Sequence, residues 1–212
     1  MNREIQMDVV EKMFLVSSSS KFIISSLRLL VPKGSEKFKC YVTAGVSIIP
    51  AIIMAKSKNT ISMFTDTIQI SLEVILALFG IVFTGYALFQ ALIGKEMLIR
   101  MLQNVTMKRG QKISKLQESN ELFAETMMLQ FLCIICAFFL IIILKSIPEE
   151  WYLFENLRTN NIFAGIGIFI YFYTIFCTII ETKSFIFNMV ELFNFHAGTR
   201  VVELLQEFEE RN

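Results

Sequence analysis

Glu73 opens a stretch, EVILALFGIVFTGYALFQALIG, that carries no other charge. An acid at the edge of so apolar a run can attract cations, because ionisable groups in spanning segments are rare and mark ion pathways. Behind it stand Ala77, Gly80, Thr84, Ala87, Ala91 and Gly94, spaced by four and three residues. That is a heptad rhythm, which keeps all seven residues on one stripe of a helix. Small side chains on such a stripe have two uses. They let a second helix approach closely, or they line a pore and leave room for water. Both uses remain open at the level of sequence.

Bond-making chemistry has little to work with. There is one histidine, His196, and two aspartates, Asp8 and Asp66, so the usual metal ligands are scarce. Cys133 and Cys136 form a CxxC spacing, but they lie inside an apolar run, where cysteine packs as a small hydrophobe. Ser17 to Ser20 have no base placed beside them, and no phosphate loop, nucleophile elbow or HExxH motif occurs. The chain is not expected to be an enzyme or to hold a cofactor or metal. Tyr171, Thr174, Thr178 and Glu181 form a second, polar helical face, expected to serve helix packing through hydroxyl bonds.

A basic group is the other candidate site. MKRGQKISK places Lys108, Arg109, Lys112 and Lys115 around Gly110, and Lys21 and Arg28 precede the first apolar run. Anionic lipid headgroups and topology account for such charge, and a polyanion such as an oligonucleotide would use it too.

These residues need a scaffold, and composition names its solvent. Of 212 residues 54% are hydrophobic and 21 are Phe, above the share found in ordinary soluble domains, so the expected solvent is lipid. Uncharged stretches at 74–94, 127–144 and 162–180 each approach the roughly 20 residues that cross a bilayer. A fourth, 40–55, is shorter and holds Pro50, which fits a kinked or re-entrant segment. Counting it as a span puts sixteen of the 20 Lys and Arg on one side and four on the other. The positive-inside rule then sets both termini in the cytoplasm.

The expected fold is an all-α integral membrane protein of four transmembrane helices with a helical cytoplasmic domain. Residues 1–39 form amphipathic cytoplasmic helices, and 40–94 hold the first two spans. Residues 95–126 form a helical hairpin turning at Gly110. Residues 127–181 hold spans three and four, and 182–212 form a C-terminal amphipathic helix, with Val201, Leu204, Leu205 and Phe208 as its stripe. No removable signal peptide is expected at the N-terminus.

This plan of four spans, cytoplasmic termini and a helical extension after the second span, without catalytic residues, resembles the membrane effectors of bacterial anti-phage defence systems of the Hailong and Kiwa types. The resemblance covers most of the chain in architecture. It implies a homo-oligomer, often a tetramer, in the bacterial inner membrane, contacting lipids. It also implies a regulator, either a soluble partner protein or a single-stranded oligonucleotide that the partner makes, and in the Hailong type an effector that is a channel. The matching positions are the small-residue stripe and the basic cluster. The alternative is a non-conducting scaffold that anchors a soluble partner.

Overall fold

A computed structural model describes residues 19–31, 37–108, 111–148, 151–152 and 154–211. The described elements are α1 (Ser19–Leu27), a 3-10 turn (Arg28–Leu30), α2 (Lys37–Ala55), α3 (Thr60–Leu92), α4 (Lys95–Gln103), β1 (Val105–Lys108), β2 (Gln111–Ser114), α5 (Lys115–Ser146) and α6 (Leu157–Arg211). The fold is helical, and α2, α3, α5 and α6 are long and apolar enough to cross a membrane. Of the expected amphipathic segment 1–39, residues 1–18 and 32–36 lie outside the described residues.

Contacts fix how the long helices run. The Ser71 hydroxyl bonds that of Tyr171, and Phe185 packs on Gly85, so α3 and α6 run parallel and in step. Gln130 reaches Thr182 while Cys133 reaches Thr178, so α5 runs against α6. Two apolar clusters hold the bundle. One joins α2, α3, α5 and α6 through Ala51, Ile68, Ile75, Ala137, Ile168 and Ile175. The other joins the end of α3 to α4, α5 and α6, with Phe123 against Tyr86, Phe89 and Phe185 at ring separations of 4.9, 5.2 and 4.8 Å.

Packing in α2 inverts the soluble pattern. Its buried face carries Thr43, Ser47 and Ala51, while Val42, Val46, Ile49 and Ile53 are exposed. Small residues let α2 lie close to α6, and each buried hydroxyl bonds the carbonyl four residues back, Thr43 to Lys39 and Ser47 to Thr43. Pro50 sits within the helix without ending it, so 40–55 is part of one 19-residue helix about 28 Å long. Helix α1 lies along α5, where Ser25 donates to Glu125, and the turn after it meets α6, where the Tyr173 hydroxyl donates to the Leu30 carbonyl at 3.2 Å.

Two segments differ from expectation. Between the second and third long helices there is no helix-turn-helix hairpin. After α4 the chain forms antiparallel β1 and β2, paired from Val105 with Ser114 to Lys108 with Gln111, with residues 109–110 as the link. β-branched Val105, Thr106 and Ile113 suit paired strands, and a two-residue connection suits a hairpin. Ser114 then caps α5 by accepting from the Gln117 amide at 3.2 Å. The second difference is α6, a single 55-residue helix across residues expected to be a span and a separate C-terminal helix. It holds no proline, so nothing in its backbone obliges a break at 181.

Candidate functional site

Helix α3 carries two stripes, each repeating by sevens. Ile68, Ile75, Val82 and Phe89 are buried against α5 and α6. Glu73, Ala77, Gly80, Thr84, Ala87 and Ala91 are all exposed. At 100° per residue the second stripe lies about 170° from the first, on the opposite side of the helix. A methyl group added at Gly80 would meet nothing within 4 Å. Among the described residues no helix packs closely on Gly80, and Ala77, Gly80 and Thr84 edge a groove whose far wall is Ile186, Met189 and Val190 of α6. The close approach to α3 is elsewhere, at Gly85, where the Phe185 ring lies 3.6 Å from the glycine's Cβ position.

The ends of the stripe need correction. Gly94 lies beyond α3, in extended backbone (φ −74°, ψ 163°) at the N-cap of α4. At the other end, α3 begins at Thr60, thirteen residues before Glu73. Glu73 therefore stands about 20 Å along a helix of about 50 Å rather than at its tip.

Its height in the bundle is the informative fact. Glu73 is two residues from Ser71, which bonds Tyr171, and two from Ile75, which packs in one cluster with Ala137 and Ile175. Tyr171 and Ile175 are mid-way along the apolar run 162–180, and Ala137 is mid-way along 127–144. An exposed carboxylate thus lies level with the middle of two apolar runs. Seven residues earlier, Asp66 is exposed on the same stripe. Extending the heptad upstream of Glu73 finds it in the sequence.

Facing inward, between α5 and α6, is a ladder of polar pairs. The Gln130 Nε2 donates to Thr182 Oγ1 at 2.8 Å, and Cys133 Sγ lies 3.3 Å from Thr178 Oγ1. The hydroxyls of Thr182 and Thr178 donate to the carbonyls of Thr178 and Thr174, each at 2.8 Å. With its proton so used, Thr182 can only accept from Gln130, which fixes the amide's orientation. The Gln130 Oε1 is buried and has no partner among the described residues. Of the polar face expected on the fourth span, Thr178 is buried in this ladder and Tyr171 is buried where it bonds Ser71 of α3, whereas Thr174 and Glu181 are half-buried. Gln130 and Thr182 complete the ladder, and neither they nor Ser71 stand among the sequence-derived candidates. The signal for Gln130 was its position as the lone amide in MMLQFLC.

The cysteine spacing resolves as packing. Cys133 is buried against Thr178 and Cys136 is exposed, so the two thiols point to different surroundings. Among the described residues no group of His, Cys, Asp and Glu is arranged to hold a metal.

The basic residues divide between separate places. Lys108 and Lys112 belong to β1 and β2, and Lys115, exposed at the start of α5, pairs with Glu118 at 3.1 Å. Arg28 is exposed on the turn that meets Tyr173. Ser25, just before that turn, bonds Glu125, ten residues and about 15 Å up α5 from Lys115. Arg28 therefore does not join the hairpin. Lys21 lies on α1, and Arg109 is outside the described residues.

Set beside known proteins, the chain matches no family, no curated sequence and no solved structure.

Proposed function

We propose that this chain is the protomer of a homo-oligomeric, multi-pass membrane channel, with the outward stripe of α3 facing the axis of the assembly. The observation that carries the reading is the exposed Glu73 at mid-run height. Against lipid an ionised carboxylate at that depth costs about 2.5–3.5 kcal/mol by insertion scales, whereas facing water it costs little. Asp66 on the same stripe adds a second acid, and Ala77, Gly80 and Thr84 leave the axis open. In a ring of copies the acids would form cation-attracting rings. Large exposed apolar residues on α2, α3, α5 and α6 support lipid as the surrounding solvent.

Cytoplasmic termini are supported by the charge split between loops, and a bacterial inner membrane by the architectural resemblance. A tetrameric state, a place in anti-phage defence, and regulation by a partner protein or its oligonucleotide rest on the architectural resemblance. The hairpin of β1 and β2, with its lysines, is the element such a regulator would reach.

Ion flux into liposomes holding the purified protein tests the proposal. Cation-selective flux is expected, with selectivity reduced in Glu73→Gln and further reduced in Asp66→Asn/Glu73→Gln. Flux unchanged in the double variant removes the acids from the mechanism. A second reading, a scaffold that recruits a soluble partner, is favoured by one feature: Val201, Leu204, Leu205 and Phe208 are exposed along the end of α6. Such a scaffold gives no flux under any condition.

A further inference from the structure

Between α2 and α6 runs an open groove of about 740 Å3, away from the outward stripe of α3. Its size falls in the range of small-ligand sites. The two helices meet where the Ala55 methyl lies 3.4 Å from the Cβ position of Gly165. Ile48, Ile52, Ile162, Ile166 and Phe169 wall the groove, which is apolar along its length. At one end its lining changes to Lys56, Arg158 and Asn161. Both cations are exposed, and among the described residues neither has an ion-pair partner. Asn156 fixes the start of α6 by accepting from the Arg158 amide at 2.9 Å, which holds Arg158 in the first turn beside the end of α2.

We propose that this groove is a binding site for one acyl chain of an anionic phospholipid, with the lipid phosphate on Lys56 and Arg158. The inference rests on reading α2 and α6 as membrane spans, and it is independent of conduction. From Arg158 to Phe169 is eleven residues, about 16 Å of helix, which is half of a hydrocarbon core of about 30 Å. The groove is thus one leaflet deep, with its cations where that leaflet's headgroups lie. A flexible unbranched chain fits a long apolar trough, and a phosphate complements two adjacent cations. A second copy is a poor occupant in a two-fold contact. Concave surfaces do not fill each other, and the symmetry would set Lys56 and Arg158 against their own equivalents.

The test is retention of lipid by the full chain, purified from an equimolar mixture of phosphatidylglycerol and phosphatidylcholine and weighed by native mass spectrometry. Wild type is expected to keep phosphatidylglycerol in preference. Each of Lys56→Gln and Arg158→Gln should lower that preference about five-fold, and the pair about thirty-fold. Ile166→Trp, or Ile52→Trp on the facing helix, should fill the trough and lose both lipids, while Lys145→Gln should change nothing. Equal retention of the two lipids by wild type overturns the proposal. So does an unchanged preference in the double variant, or full retention in both tryptophan variants. Displacement of phosphatidylglycerol by millimolar inorganic phosphate would make the site an anion site rather than a lipid site, and a second protein copy in place of lipid would make it an interface. A protein that stays soluble without detergent defeats the membrane reading itself. One that needs detergent and shows no lipid preference defeats the lipid site alone.

Discussion

The two faces of α3 follow one period and opposite rules. On the inner face, Ile68, Ile75, Val82 and Phe89 are large, apolar and buried. On the outer face, Glu73, Ala77, Gly80, Thr84, Ala87 and Ala91 are small or acidic, and exposed. A helix that only faced lipid would need neither small residues nor an acid on its outer side. The contrast implies that one face folds the protomer and the other is kept for something outside it, so damage to each should register in different measurements.

The strongest break is on the inner side. Phe89→Ala removes a ring stacked on Phe123 and should cost about 3–5 kcal/mol, read as a fall in thermal stability of the detergent-solubilised protein. Removing Phe123 itself should cost as much. On the outer side, Ala77→Leu should leave protomer stability within about 0.5 kcal/mol, since Ala77 is exposed on the protomer, yet disrupt assembly measured by mass in detergent. Loss of stability equal to that of Phe89→Ala would show that the outer face also folds the protomer. Next in size is the ladder. Thr182→Val leaves the Gln130 amide without its acceptor and should cost about 1–3 kcal/mol, whereas Gln130→Leu removes an acceptor that already lacks a partner and should be near neutral. Smallest is Ser114→Ala, expected to cost about 1 kcal/mol through loss of the α5 cap, visible as earlier melting with flux unchanged.

How much of this was legible in the sequence depends on what kind of fact each element is. The heptad of small residues was legible because periodicity is local. Which way it faced was not, because small side chains suit close packing inside a protomer as well as an outward face, and only the positions of α5 and α6 show that the stripe is outward. The place of Glu73 along its helix was not legible for a related reason. Charge marks where an apolar run ends, but Asp66 and Gln69 lie within α3, which begins at Thr60 after the turn at Ser57 and Asn59. In the segment after α3, Met97 and Met101 gave true helical spacing. The strands that follow depend on Val105 pairing with Ser114 and Thr106 with Ile113, contacts that periodicity does not reveal. Gln130 is an amide among hydrocarbons, a local signal that periodicity passes over and that its bond to Thr182 brings out.

Helix α6 has a mechanical meaning. Its 55 residues without a proline make one shaft of about 82 Å, from the Ala55 contact near its start to Phe208 near its end. A tilt of roughly 5° about its midpoint carries each tip about 3.5 Å in opposite directions. The shaft bears on α3 at Gly85, close to its middle, where a glycine offers no side chain to cushion the Phe185 ring. A load taken up at Phe208 would therefore reach α3 as leverage about that fulcrum, with no proline between to interrupt the helix.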